Sequence, residues 1–142
     1  MKRKPKTTAR LSQDAAKLMQ RIVRIKAANF ADNGGYIQCV SCGGSDHWSN
    51  LQGGHFISRT SMRWRFAEEN IHPQCASCNL YKSGNLIPYT LYMTETYGQD
   101  TVAAMLRASN EVYKVSRADV VVEVKRLQEV LADLERGATW LD

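Results

Sequence analysis

The sequence lacks any apolar run that approaches the length of a membrane span, and its basic N-terminus lacks the apolar core of a signal peptide. It also contains no internal repeat and no low-complexity block, which argues against repeat and fibrous architectures. Its 142 residues are 44% hydrophobic and 23% charged, as is usual for a globular protein. These properties predict a single domain in a reducing cytoplasm.

Acidic residues are scarce at the start of the chain. The first 30 residues contain nine Lys or Arg and one acid, Asp14, whereas the region from Tyr89 onward is acidic. The net charge is +5 and the pI is near 9.1. A basic segment beside a near-neutral body suits binding to phosphate groups, so we expect a polyanionic partner. The alternative is a disordered tail that only improves solubility.

The four cysteines form two Cys-x-x-Cys pairs, Cys39 with Cys42 and Cys75 with Cys78, separated by 32 residues. Thiolates at this spacing point at one ion, and four of them complete a closed tetrahedral shell. In a reducing compartment such pairs bind metal more often than they form disulfides. We therefore predict one structural Zn²⁺ that contributes a large part of the folding free energy.

The domain organisation follows from composition and periodicity. Residues 1–10 are predicted to form a flexible basic arm, and 11–142 a single domain. Within that domain we expect a basic helix at 11–30 capped by Ser12, a zinc-bound core at 36–89, and a helical C-terminal part at 90–142.

Finer elements can be placed inside the core. Strands are expected at 36–40, 51–57 and 63–66, the last two forming one hairpin, with a loop at 43–46. A short helix should run from Cys75 to Gly84, followed by helices at 90–97 and 101–109. Ser116 and Asp119 form a capping box before an apolar seam of Val120, Val124, Leu127, Leu131 and Leu134.

His55 stands in a short apolar strand after two glycines, and Asn79 directly follows the second cysteine pair. A neutral imidazole can take a proton from water near neutral pH, which suits a general base. An amide oxygen can bind a hard cation such as Mg²⁺ or Mn²⁺, which stabilises charge on a phosphate. Lys82 falls on the same helix face as Asn79 and is expected to contact the phosphate.

The order His55, Asn70, Asn79 resembles the HNH endonuclease motif of the ββα-metal superfamily. The surrounding segments, including Gly-Gly-His-Phe-Ile-Ser-Arg and Arg-Phe-x-Glu-x-Asn-Ile-His-Pro-Gln-Cys, resemble the NinG/Rap recombination endonucleases of lambdoid phages over about residues 15–90. The resemblance implies an α+β fold with a small zinc-bound HNH core flanked by N- and C-terminal helices. It also implies a phage or prophage protein of the bacterial host cell that cuts Holliday junctions and D-loops.

The same resemblance implies roles for the three motif residues. His55 would be the general base, Asn70 would brace the hairpin loop that orients this base, and Asn79 would bind the catalytic metal. One position departs from the family pattern. Most HNH enzymes have Asp or His just before the base as a second metal ligand, and this chain has Gly54. Related nucleases with an Arg-Gly-His element hold Mg²⁺ largely through one Asn and water.

Several basic residues are candidates for DNA contact. The predicted DNA-facing set is Arg59, Arg63, Arg65, Lys82, Arg21 and Arg24. Asp46 and His47 form a competing acid–histidine pair, which we disfavour because it falls in a Gly/Ser loop. His72 is expected to be structural or to contact phosphate.

Two rival functions remain open. One is an HNH nuclease that acts on plain duplex DNA, and the other is a zinc-ribbon module that binds DNA without cutting it. Paired cleavage at a branch would favour a homodimer. The seam from Val120 to Leu134 is the sequence feature that would supply it, although such a short seam more often packs within its own chain.

Overall fold

The computed structural model describes residues 2–138 and Leu141. The predicted bounds 1–10 and 11–142 also take in Met1, Thr139, Trp140 and Asp142, which lie outside the described residues. The described chain combines four α-helices with two small antiparallel hairpins. This mixed content agrees with the predicted α+β class.

The longest helix, α1 (Thr8–Ala31), presents an apolar face at helical spacing, with Met19, Ile22 and Ile25 among its buried residues. Its N-cap is Thr7, whose hydroxyl accepts the Arg10 backbone N–H at 3.2 Å. Ser12 was predicted as this cap, but it is buried one turn inside the helix. Residues 8–10, assigned above to a flexible arm, therefore form the first helical turn.

The first hairpin pairs β1 (Tyr36–Gln38) with β2 (Ser45–His47). The predicted loop at 43–46 is wrong for its second half, because Ser45 and Asp46 lie in β2 opposite Gln38 and Ile37. The first cysteine pair occupies the connection between the two strands.

The second hairpin pairs β3 (Gln52–His55) with β4 (Ile71–Gln74), placing Gly54 opposite His72. The predicted partner strand at 63–66 is wrong, since those residues form turns inside the long connection 56–70. Their alternation of basic and aromatic residues imitates a half-buried strand, but Trp64 is buried in a core cluster with Tyr89, Met93 and Met105 from the helices that follow.

Helical structure follows β4. A five-residue π-helical turn, Ser77–Tyr81, comes first, and α2 (Leu86–Tyr97) and α3 (Gln99–Ala108) then meet at Gly98. The last helix, α4 (Arg117–Gly137), begins with the predicted capping box. Ser116 Oγ accepts the Asp119 N–H at 3.1 Å, and the Asp119 carboxylate accepts the Ser116 N–H at 3.3 Å.

Packing between α1 and α4 buries the predicted seam inside the chain. Leu127 joins Met19, Ile22 and Ile71 in one core cluster, with Val124, Leu131 and Leu134 packed against it. Because these side chains contact α1, the seam is not a free dimerisation surface. No helix in the described residues has the length and apolar character needed to cross a membrane.

Candidate functional site

The four cysteines lie together where the first hairpin meets the end of β4. All four Sγ atoms are within 4.8 Å of one another, and those of Cys42 and Cys75 are 3.8 Å apart. Tetrahedral coordination with Zn–S bonds of about 2.3 Å would place sulfur atoms roughly 3.8 Å apart. Backbone N–H groups of Gly44 and Cys78 point at Cys42 Sγ and Cys75 Sγ, as in metal-binding knuckles. The cysteine cluster could therefore bind a zinc ion.

Electrostatics also favours a cation in the cysteine cluster. Burial first, and then the neighbouring thiols, raise the pKa of Cys78 to about 12. Four thiolates packed at this distance repel one another unless a positive ion lies between them. Zinc would connect the first hairpin to the π turn. Cys39 and Cys42 lie between the strands of that hairpin, and Cys75 and Cys78 lie on either side of the first residue of the turn.

His55 ends β3, and its ring is held by one hydrogen bond. Nε2 lies 2.6 Å from the carbonyl oxygen of Arg65. Because a carbonyl can only accept, Nε2 carries the proton, and in the neutral ring the lone pair is on Nδ1. Burial first lowers the pKa of His55, the Arg65 carbonyl opposes this, and the charges of Arg59 and Arg65 lower it further. The ring is therefore neutral at neutral pH, with Nδ1 able to take a proton.

Asn70 is fully buried and holds the connection that follows His55. Its Oδ1 accepts the Ile57 N–H at 2.7 Å, and its Nδ2 donates to the carbonyls of Ile57 at 2.9 Å and Trp64 at 3.0 Å. The Trp64 carbonyl is one residue before the Arg65 carbonyl that receives the His55 N–H. Asn70 thus fixes the backbone segment that orients the His55 ring.

Asn79 lies in the π turn and shares a cavity of about 360 Å³ with His55 and Arg59. Its Nδ2 donates to Gln52 Oε1 at 2.7 Å, which leaves the carbonyl oxygen Oδ1 for a cation. A single amide oxygen fits Mg²⁺, which usually keeps several waters and takes few protein ligands. We call this space the Asn79 cavity.

The two glycines before His55 are explained by packing on both faces of β3. A Cβ atom on Gly53 would come within 2.6 Å of the Gln20 side chain on α1. A Cβ on Gly54 would lie 1.7 Å from Gln74 Oε1. The buried Gln74 side chain therefore fills the space beside position 54, and no carboxylate side chain fits there.

A buried hydrogen-bond chain supports the same glycine. Tyr89 donates to the Gly54 carbonyl at 2.7 Å, so its oxygen accepts from His72 Nδ1 at 3.0 Å. His72 Nε2 then accepts from Tyr97 at 2.8 Å. Burial lowers the pKa of His72 to about 4 and raises that of Tyr97 to about 12, which keeps the ring neutral and the phenol protonated. His72 is thus structural, one of the two alternatives expected.

The predicted DNA-facing residues divide into two groups. Arg59 and Arg65 border His55 in a second cavity of about 360 Å³, here called the Arg65 cavity. Two of the others form contacts within the chain. Arg24 is used internally, donating to the Leu51 carbonyl at 2.9 Å, and Arg63 pairs with Glu111 at 2.7 Å.

Arg21 also forms contacts within the chain, whereas Lys82 does not share the helix face on which it was expected. Arg21 pairs with Glu135 at 2.7 Å and stacks over Trp48 with 4.9 Å between its Cζ atom and the ring centre. The π turn ends at Tyr81, so Lys82 lies beyond it and does not share a helix face with Asn79. Ser83, not Lys82, lines the Asn79 cavity.

The competing pair Asp46 and His47 does not form an acid–base couple. Asp46 accepts the His47 backbone N–H at 2.6 Å and the Asn50 amide at 3.0 Å, so its carboxylate caps the local turn. His47 Nδ1 contacts Ser49 Oγ at 2.6 Å. His47 lines neither cavity that borders His55.

Three residues of the site were missed from the sequence: Gln52, Gln74 and Tyr89. Each contacts a partner distant in the chain. Gln52 bonds to Asn79, Gln74 fills the space at Gly54, and Tyr89 donates to the Gly54 carbonyl. Gln52 and Gln74 sit opposite each other where β3 and β4 pair, but no signal in the sequence indicated this pairing, because the partner strand was predicted at 63–66. Tyr89 carries no signal either, since its helix approaches only in the folded chain.

Comparison with known families identifies the family of this chain. The family model described as Bacteriophage Lambda NinG protein matches residues 1–137. The chain belongs to the NinG family. Among curated NinG relatives, protein ninG of Escherichia phage lambda is 41% identical over 69 residues, covering 46% of this chain and 32% of the relative. Protein ninG of Salmonella phage P22 is 42% identical over 65 residues, covering 44% of this chain and 30% of the relative.

The chain therefore aligns with about a third of the length of these curated NinG proteins. The relatives are phage proteins by name, which agrees with the phage origin expected from the motifs. No solved structure matches the chain. Membership of the NinG family by itself assigns neither a reaction nor a substrate.

Proposed function

We propose that this chain is a metal-dependent DNA endonuclease with an HNH site built on β3, β4 and the π turn. The observation that carries the proposal is the His55 ring, which is neutral and held by the Arg65 carbonyl so that Nδ1 is the basic nitrogen. Nδ1 would take a proton from a water molecule as the water oxygen bonds to the phosphorus of a phosphodiester. The P–O bond to one sugar oxygen would break, and that oxygen would leave as a hydroxyl after taking a proton from solvent.

The other residues would act on position and charge. Asn70 would keep the loop, and with it the His55 ring, in one orientation during the reaction. Asn79 would hold Mg²⁺ or Mn²⁺ through Oδ1, and the bound ion would supply positive charge to the phosphate and leaving oxygens. Arg59 and Arg65 would bind phosphates next to the cut.

The substrate we propose is branched DNA, such as Holliday junctions and D-loops formed in phage recombination in the host cytoplasm. The support for branched DNA is the resemblance of the motifs to recombination endonucleases. The basic surface around His55 supports DNA as the polyanion but does not distinguish a junction from a duplex.

The test is cleavage of labelled junction, flap, single-stranded and duplex DNA with Mg²⁺ or with a chelator. We expect Mg²⁺-dependent cuts near the branch and little cutting of duplex. Equal rates on duplex would leave the nuclease and remove the branch preference. Tight binding without cleavage of any substrate would instead favour a non-catalytic zinc module, a function for which the missing ligand at Gly54 is the supporting observation.

A further inference from the structure

A groove between α1 and α4 lies apart from the proposed catalytic residues and has no role so far. Its volume is about 570 Å³. Leu18 and Val124 give it an apolar floor, and Lys6, Lys17 and Lys125 supply amines around it. An apolar floor with cationic edges suits a sugar–phosphate chain, in which deoxyribose alternates with phosphate.

The groove and the space around His55 meet at one residue, Lys17. Lys17 lines both the groove and the Arg65 cavity. His55, Arg59 and Gln20 line both the Arg65 cavity and the Asn79 cavity. The three cavities are therefore neighbours, with the Arg65 cavity between the Asn79 cavity and the groove.

Charge along this path is mainly positive. Asp14 is the carboxylate among the groove's lining residues, and Lys6 at 2.7 Å and Arg10 at 3.5 Å already neutralise it. Arg21 is paired with Glu135 at 2.7 Å. The positive charge of the groove therefore resides mainly on Lys17 and Lys125, both of which are exposed.

We propose that this α1–α4 groove binds a second stretch of DNA backbone, beyond the phosphate that is cut at His55. The inference rests on the proposed function and extends it to the arms of the substrate. DNA bound at Asn79 and His55 would pass Arg59 and Arg65, and an arm leaving that point would follow Lys17 into the groove.

The experiment measures binding separately from cutting. The His55→Ala chain is titrated against a fluorescein-labelled four-way junction at several salt concentrations, with anisotropy as the readout. The Lys17→Gln/Lys125→Gln double variant removes two charges from the groove. A matched control, Arg107→Gln/Lys114→Gln, removes two charges from exposed positions that line none of these three cavities.

We expect the groove variant to lose roughly tenfold in affinity at low salt and to flatten the log–log salt slope by about two, since each lost phosphate contact removes about 0.9. The control should keep the wild-type slope. An unchanged slope in the groove variant, or the same loss in both variants, would overturn the groove assignment. Glutamine keeps helix propensity close to that of lysine, and far-UV circular dichroism checks that each variant folds.

Cleavage assays on the chains with His55 intact separate the two proposals. If no chain cuts any DNA but the groove variant alone flattens the salt slope, the groove stands and the nuclease proposal fails. If the intact chain cuts junctions while the groove variant binds with the wild-type slope, the nuclease stands and the groove proposal fails.

Discussion

The two hairpins of this chain have the same topology, and each places a histidine at the end of a strand, His47 on β2 and His55 on β3. Their surroundings differ. His47 contacts its near neighbour Ser49 and lies in a hairpin whose outer strand residues are exposed. His55 is enclosed by α1 on one side and by the segment 56–70 on the other. The difference shows that the environment built around a histidine, and not its position on a strand, makes it a candidate base.

Removal of zinc should have the largest effect, because the ion would join the two hairpins. Chelation, or Cys75→Ser, should abolish cooperative folding, since structural zinc sites contribute apparent binding energies on the order of 10 kcal/mol. Circular dichroism and elemental analysis would measure the loss. Folded protein that contains no zinc would show that the cysteine cluster has no structural metal.

The two histidines can be compared directly by substitution. His55→Ala should reduce cleavage by about 10²–10⁴-fold, the usual contribution of a general base, and leave DNA binding nearly intact. His47→Ala should retain activity, because that ring lines neither cavity at the site. Single-turnover cleavage rates give the answer, and the opposite pattern would mean that the wrong hairpin was chosen.

The proposed HNH site has no second metal ligand before His55, and we expect that introducing a carboxylate at position 54 would destabilise the fold. Gly54→Asp would force a side chain into Gln74, whose Oε1 lies 1.7 Å from the Cβ position. Overpacking and an unpaired buried carboxylate should destabilise the fold by about 3 kcal/mol. Gly137→Asp is the control, since position 137 is exposed and no atom lies within 4 Å of a Cβ built there. Urea denaturation would measure both, and a Gly54→Asp variant of wild-type stability would refute the packing argument.

His72 should make stability depend on pH. Its folded pKa of about 4 lies below the unfolded value of 6.5, so the unfolded chain binds a proton first as the pH falls. Stability is then full above pH 6.5 and decreases towards pH 4, by on the order of 2 kcal/mol between about pH 7 and pH 5. The groups around the His72 ring are Tyr89, Tyr92, Tyr97 and Glu68. The Glu68 carboxylate weakly opposes the lowering of the His72 pKa.

His72→Gln removes the titrating group, and thermal unfolding at a series of pH values checks the prediction. The variant should show a smaller loss of stability on acidification than the wild type, whatever its stability at pH 7. Parallel curves for the two proteins would assign the acid sensitivity to other groups.

The smallest effects should separate two arginines that looked alike in the sequence. Arg24→Gln should cost about 1–2 kcal/mol of stability, because its guanidinium bonds to the Leu51 carbonyl, and should not change DNA affinity. Arg59→Gln should reduce DNA affinity by about 1 kcal/mol and keep stability. Unfolding and anisotropy titrations on both variants provide the comparison, and exchanged outcomes would contradict it.

The sequence predicted features that depend on local pattern. The capping box at Ser116 needs only two residues three apart, and Gly98 separates two helices by its conformation alone. The two-residue spacing within each cysteine pair likewise predicted that the four cysteines lie together. By contrast, the partner strand of β3 was misplaced to 63–66. Basic and aromatic residues alternate at 63–66 as they would in a strand. The true partner, β4, contains Pro73, a residue that argues against a strand.

The role of Arg24 and the crowding at Gly54 were also beyond sequence reasoning, for a different reason. Arg24 lies on the same basic helix as Lys17 and Arg21, and its contacts with Trp48 and Leu51, distant in the chain, partly remove it from solvent. Gly54 is filled from Gln74, twenty residues away in the chain. Contacts of this kind depend on which elements pack together, which no local pattern contains.

The close fit between Gly54 and Gln74 also restricts how this site can change over evolutionary time. A larger residue at position 54 requires a smaller one at 74, but shortening Gln74 first would remove its bonds to Ser41 and to the Gly84 carbonyl. Either order passes through a chain less stable than both its ancestor and its descendant. Single substitutions therefore cannot easily place a larger side chain at position 54, and we expect relatives with such a residue at 54 to have a smaller one at 74.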